Sequence, residues 1–289
     1  MSTAPAPTFD RAAYKRAARE QWQEAAAAWD RWAPSLESWL GPVTDAMVEL
    51  GRIQEGDSVV DVAAGAGEPA VTIAKRVGPK GSVLATDICS AILAYAEKRA
   101  SLVGLANVST RVMDGEALEL NGESFDRAVS RLGLVYFPDR VRALGEMHRV
   151  LKIGGLVAIA GVTSPVANPF SATTMSVLAK HADLPPPQPG RPGPFSLGDP
   201  ALMREALEAA GFVEVETRVV DTPLELSSAR DCARLQREAF AGMDQMLSHL
   251  PPGSREAAWE DVARALGALE HDGKFRSPTQ FIVGAGVRR

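Results

Sequence analysis

Asp61 stands four residues before Gly65 and six before Gly67, and Asp87 follows Gly67 by twenty. The β-branched run Ser58-Val59-Val60-Asp61-Val62 feeds the turn Ala63-Ala64-Gly65-Ala66-Gly67, and a helical pattern opens at Pro69. A strand entering a glycine turn that opens a helix is a nucleotide-binding geometry. Glycine lets a ligand approach the backbone closely, and the helix start offers unpaired N–H groups. Gly65-Ala66-Gly67-Glu68-Pro69-Ala70 fits a loose G-x-G-x-x-A dinucleotide fingerprint, with Asp87 at the distance of a ribose-binding acid. Two carboxylates oppose a pyrophosphate there: Asp61 inside the strand end and Glu68 beside the turn. Such a pair suits a cationic ligand with free hydroxyls. S-adenosylmethionine carries a sulfonium, an ammonium and a ribose diol, and no phosphate.

The surrounding elements must place these groups. Strand patterns at Ser58–Val62, Ser82–Thr86, Val108–Met113, Phe125–Arg131 and Leu156–Gly161 alternate with helical ones at Pro69–Val77, Ser90–Val103 and Arg140–Leu151. A short helix near Gly115–Leu118 and a turn at Lys152–Gly155 complete the series. That rhythm predicts an α/β fold, a mostly parallel sheet with helices on both faces. Two helices, Phe9–Trp32 and Leu36–Leu50, precede it; after Thr163 come helices at Asn168–His181, Pro200–Ala210, Ser227–Leu250 and Ser254–Glu270, and strands at Val213–Val220 and Thr279–Val287. The proline-rich stretch Leu184–Pro194 cannot be regular helix or strand.

At VVDVAAGAGEPA the chain resembles the class I S-adenosylmethionine-dependent methyltransferases, whose first motif is D-x-x-x-G-x-G. Val83–Ile88, Val112–Glu116, Phe125–Arg131 and His148–Gly155 resemble the later motifs in order. The subgroup most resembled is that of the ubiquinone/menaquinone-biosynthesis C-methyltransferases, with Ile153 where that group has proline. The resemblance covers about Asp57–Gly161 together with the terminal strand. It implies a Rossmann-like domain, S-adenosylmethionine as cofactor, and cofactor contacts from Asp61, Ala63, Gly65, Gly67, Asp87, Ile88, Asp114, Gly115, Ser130 and Arg131. Within that group Asp87 holds the ribose hydroxyls and the acid at Asp114 meets the adenine amino group. The implied layout is a tail at 1–8, a helical lid at 9–51, a cofactor-binding core at 52–163, a substrate cap at 164–278 and a core strand at 279–289. An antiparallel final strand should insert between earlier ones.

Methyl transfer is an in-line displacement that needs an aligned, desolvated acceptor more than catalytic groups, so no residue identifies itself as catalytic. Trp29 and Trp32 from the first helix are candidates for the acceptor pocket, with Tyr136, Asn168, Phe170 and Met243. The apolar set Phe240, Met243, Met246 and Leu247 favours a small, largely apolar or aromatic acceptor such as a quinol or phenol, methylated at carbon or oxygen. Two further readings stay open: an NAD(P)-dependent oxidoreductase using the same turn, and a non-catalytic cofactor-binding interaction protein. Formal net charge is −5, so no electrostatic footprint for nucleic acid is expected. The longest apolar run falls far short of the ~20 residues of a membrane span. Cys89 and Cys232 cannot form a disulfide framework, and no metal-ligand spacing is present among Cys and His148, His181, His249 and His271. The expectation is a cytoplasmic enzyme acting on a small molecule.

Overall fold

The computed structural model describes residues 9–185, 190–240 and 242–289; the expected tail and the middle of the proline stretch lie outside them. Helix α1 (Arg11–Arg31) starts where the Asp10 carboxylate accepts from the Ala13 amide, and α2 (Ala33–Leu50) follows after Trp32. Pro34 lies in the first turn of α2, where a missing N–H costs nothing, so the expected break shrinks to one residue. The chain then alternates: β1 (Ser58–Val62), α3 (Ala70–Val77), β2 (Ser82–Asp87), α4 (Ser90–Leu102), β3 (Val108–Val112), β4 (Phe125–Arg131), α5 (Arg140–Val150) and β5 (Leu151–Val162). Next are α6 (Pro169–His181), α7 (Pro200–Ala209), β6 (Phe212–Asp221), β7 (Leu224–Leu226), α8 (Ala229–Ala239), α9 (Gly242–Gln245) and α10 (Pro252–Leu266). Strands β8 (Glu270–His271), β9 (Lys274–Ser277) and β10 (Gln280–Arg288) end it.

Seven strands form one sheet in the order β3-β2-β1-β4-β5-β10-β6. Strands β1 to β5 run parallel, and β10 lies antiparallel between β5 and β6, the insertion expected of the terminal strand. The strand order reverses at β1, whose neighbours are β2 and β4, so a crevice opens beyond the carboxyl ends of β1 and β4. Alternate side chains face opposite layers. Val59, Val129, Ala158 and Phe281 pack with α2 and α3, whereas Val60, Ala128, Ile159 and Ile282 pack with α5 and α7. The first layer runs without a gap into the cap, through Phe170 of α6, Leu235 of α8, Val262 of α10 and Phe275 of β9. Helix α2 is thus part of the core, with Leu40, Val43 and Met47 buried in it, and α1 packs on α4 and α8.

Four local expectations give way. Lys152–Gly155 is a bulge within β5: Phe125 and Arg127 of β4 face Leu151 and Leu156, and Gly154 takes φ +81°. Gly115–Leu118 is a turn, because the Asp114 side chain accepts from the Glu116 amide while its carbonyl accepts from Ala117. The helix expected over Ser227–Leu250 stops at Ala239, whose carbonyl accepts the Trp29 indole N–H at 2.7 Å. The last expected helix stops at Leu266, and Glu270 enters a second sheet ordered β7-β9-β8. Its hairpin turns at Asp272-Gly273, both at positive φ, a dipeptide that signals such a turn in sequence.

Candidate functional site

The carboxyl ends of β1, β2 and β4 place the glycine turn and the acids together. Ala63, Gly65 and Gly67 all take positive φ (61°, 56° and 106°), a tight path that turns the chain back toward α3. The turn is fastened to β2: Ala64 donates to the Thr86 carbonyl at 2.9 Å, and Gly65 donates to Asp87 Oδ2 at 3.1 Å. Asp87 Oδ1 accepts from the Cys89 amide at 2.9 Å. Burial pushes Asp87 up to about 6, opposed by the amides of Cys89, Gly65 and Ile88. The two glycines have different reasons. A Cβ at Gly65 would meet only Ile92 Cδ1, at 3.8 Å, so space remains there for a ligand. A Cβ at Gly67 would lie 2.9 Å from Ala96 Cα, so this glycine lets α4 pack against the turn.

Asp61 is fully buried, and neither of its carboxylate oxygens has a hydrogen-bond partner among the described residues. The Ala70 amide favours its charge, but the geometry falls short of a hydrogen bond. Burial pushes Asp61 up to about 8 against the pull of Arg131, with Glu68 and Asp87 adding to the rise. The buried Ser130 hydroxyl is likewise unpartnered. Arg131 donates from Nη1 to Thr44 Oγ1 at 2.9 Å and from Nη2 to the Glu68 carbonyl at 3.0 Å. Burial also lowers its pKa. Buried polar atoms left unpaired are costly, and Asp61 and Ser130 concentrate them beside the glycine turn.

A narrow crevice beside the turn is lined by Ala66, Glu68, Arg99 and Arg131 on one side and by Trp29, Ala33, Leu36 and Glu37 on the other. Arg99 and Glu37 form an ion pair across it. Trp29 is the one pocket candidate that reaches this crevice. Trp32 turns to the cap instead, its indole N–H donating to Glu238 at 2.8 Å under the Arg234 guanidinium. Asn168 is a strap: its side chain accepts from the Gln280 amide and donates to Thr163 Oγ1 and two carbonyls, tying the loop after β5 to β10. Phe170 packs edge-on against Trp39 in the core, and Met243 is buried in the same cluster. Tyr136 packs against Trp22 of α1 with ring centroids 5.8 Å apart, and burial pushes its hydroxyl up to about 12.

Asp114 carries a contact that sequence reasoning missed. Lys15 Nζ of α1 lies 2.6 Å from both Asp114 and Glu116, and nothing in the spacing of residues 99 apart announces it. Gly115 is a packing glycine, since a Cβ there would strike the Phe137 ring at 2.6 Å. Ile88 is half-buried beside Asp87. Thr44, Leu36, Glu37 and Arg99 were also missed, because a helix pattern does not say which residue faces a crevice. Of the histidines, His148 packs on Phe212, His181 pairs with Asp261 at 2.9 Å, and His249 and His271 are exposed. Among the described residues no cluster of His, Cys, Asp or Glu is placed to hold a metal, and no helix is long and apolar enough to cross a membrane.

With the geometry in place, three kinds of likeness bear on it. Residues 39–182 match the model of the ubiE/COQ5 methyltransferase family. The chain is 30% identical over 165 residues to aklanonic acid methyltransferase DauC of Streptomyces sp. (strain C5), covering 57% of this chain and 71% of that one. It is 37% identical over 134 residues to ubiquinone/menaquinone biosynthesis C-methyltransferase UbiE of Bordetella parapertussis, and there spans only 45% of this chain and about half (52%) of the relative. Nocamycin O-methyltransferase of Saccharothrix syringae is 28% identical over 261 residues, 84% of this chain and 90% of its own. Among solved structures, the [4+2]-cyclase SpnF superposes with TM-score 0.55 over 99% of both chains at 20% identity. That likeness shows the fold alone.

Proposed function

We propose a small, largely apolar or aromatic methyl acceptor for this chain, which belongs to the ubiE/COQ5 methyltransferase family and is an S-adenosylmethionine-dependent methyltransferase. Family membership sets aside the nicotinamide reading of the glycine turn. The observation that carries the cofactor assignment is the buried, unpartnered Asp61 beside a turn that Asp87 holds open. These residues fit S-adenosylmethionine: Asp87 would hold the ribose hydroxyls, Asp114 the adenine edge, and Asp61 a positive charge. When bound, the cofactor supplies a methyl group made electrophilic by the sulfonium.

What the chain itself contributes is position and dryness. None of the four histidines lines the crevice, so no general base is drawn from them. Holding an acceptor in line can by itself lower a barrier by ~7–11 kcal/mol. The acceptor class rests on the relatives. The relatives are named for quinone biosynthesis, for aklanonic acid and for nocamycin, and the nocamycin likeness covers 84% of this chain. Carbon or oxygen is the methylated atom.

Calorimetry should show S-adenosylhomocysteine binding with no detectable NAD(H) binding. An acceptor panel followed by mass spectrometry should then show a mass gain of one methyl on phenols or quinols. Binding of NAD(H) alone would sink the cofactor assignment. Turnover confined to peptides or nucleic acid would sink the acceptor class.

A further inference from the structure

Tyr136 ends the short helical turn Leu134–Tyr136 that follows β4, and its ring packs edge-on against Trp22 of α1. The residue is half-buried, yet among the described residues no hydrogen bond reaches its hydroxyl. A tyrosine sunk into a fold usually finds a partner for its O–H. Its neighbours fix where this corner lies. Gly133, three residues earlier, runs so close to the glycine turn that a Cβ on it would collide with the Ala63 side chain. Phe137, the next residue, covers Gly115 beside Asp114. Tyr14 of α1 is near enough for its charge to oppose that of Tyr136, and Lys15 beside it holds Asp114. Trp22 packs with Ala66 and Ile92 and meets Trp29, which lines the crevice, at 6.2 Å between ring centroids. Tyr136 thus stands beyond the carboxyl end of β4, between the glycine turn and Asp114, on an aromatic wall. Open α/β sheets bind their ligands at this edge.

We propose that Tyr136 is a specificity-determining residue for the methyl acceptor, its hydroxyl donating a hydrogen bond to a phenolic or enolic oxygen of an acceptor whose ring lies along Trp22. The inference rests on the aromatic-acceptor reading above and narrows it to acceptors that bear an ionisable ring hydroxyl. A donor aimed at that oxygen favours its anion over its neutral form. Burial pushes Tyr136 up to about 12, so it keeps its own proton and remains a donor at neutral pH. The acceptor's proton goes to water. Its oxygen or ring carbon then forms the bond to the methyl carbon as the methyl–sulfur bond breaks and leaves its pair on sulfur.

The test uses protein saturated with S-adenosylhomocysteine and two probes of one shape. 4-Nitrophenol has a ring hydroxyl whose anion is yellow, and 4-nitroanisole has neither hydroxyl nor anion. Calorimetry should show wild-type protein binding 4-nitrophenol about 10- to 100-fold more tightly than 4-nitroanisole, the usual range for a hydrogen bond to a charged group. Absorbance should show the bound phenol ionising at lower pH than the free one. Tyr136→Phe removes one oxygen and keeps the ring on Trp22. It should abolish both the margin and the ionisation shift, while 4-nitroanisole and S-adenosylhomocysteine stay within about twofold of their wild-type affinities. Equal wild-type affinity for the two probes overturns the proposal, as does a Tyr136→Phe variant that keeps the margin or weakens both probes alike. Wild-type protein that binds S-adenosylhomocysteine but neither probe would instead overturn the aromatic-acceptor reading beneath it.

Discussion

At the scale of single residues, the role proposed for Asp61 would tie ligand binding to pH. In the unfolded chain it ionises at its ordinary 3.8, but burial holds its proton up to about 8 in the folded, ligand-free protein. Between those values the unfolded state binds fewer protons, so this group makes stability fall as pH rises from about 4 to about 8. Asp87 adds a smaller slope of the same sign, ending near 6. Asp61→Asn should therefore raise the Tm of ligand-free protein at pH 8, by an amount worth about 1–3 kcal/mol, while weakening S-adenosylhomocysteine. Wild-type affinity for that ligand should tighten from pH 6 to pH 8.5 as the carboxylate ionises. A lower Tm for the variant at pH 8 would show that Asp61 has a partner in the folded chain. If Asp87 holds the ribose hydroxyls as proposed, Asp87→Ala should cost about 1.5–3 kcal/mol of binding, since it would remove that acid and free the Gly65 amide together.

At the scale of elements, the turn and α1 respond differently. Gly67→Ala forces a methyl against the Ala96 backbone and should lower stability by about 1–3 kcal/mol through α4. Gly65→Val meets open space and a strained φ, so its first effect should be on ligand affinity, with most of the Tm retained. Comparable Tm losses in the two variants would contradict this division. The N-terminal half of α1 is fastened to the segments after β3 and β4 by Lys15 on Asp114 and Glu116 and by Arg11 on Asp139. If Asp114 receives the adenine edge, Lys15 competes for it. Lys15→Met should then raise affinity for S-adenosylhomocysteine several-fold and flatten its salt dependence; unchanged affinity would mean that the lysine and the ligand share the carboxylate.

At the scale of the molecule, one apolar cluster joins core and cap. Trp39 of α2 donates to Thr279 at 2.7 Å, its carbonyl accepts from Thr222 at 2.8 Å, and its ring touches Phe170, Phe240 and Phe281. It thus joins the N-terminal helices, the last strand and the cap. Trp39→Ala should cost about 3–5 kcal/mol, the usual penalty for emptying a large aromatic site. Calorimetric unfolding should show one transition for the whole chain, because a single apolar cluster spans sheet and cap. Two separated transitions would show that the cap folds alone.

The parallel sheet, the glycine turn and the acids at strand ends were legible in sequence because each is local. Short β-branched runs, a Gly-x-Gly between strand and helix, and an acid closing the next strand depend on neighbours a few residues away. Asp61, Gly65 and Asp87 could be placed together on that basis, and the order of strands made them meet. The cap was not legible in the same way. Ser227–Leu250 has helical composition throughout, and only the indole of Trp29, 210 residues distant in sequence, takes the carbonyl at which the helix ends. Asn168 and Phe170 stand at pocket-like positions in the chain, but β10 and α2 claim them as strap and core. Lys15 reaches Asp114 across 99 residues. Sequence by itself determined the fold and brought Asp61, the glycine turn and Asp87 together as a candidate cofactor site. Which side chains face the crevice was decided by packing between distant segments, because the orientation of a helix about its own axis is set by what it touches.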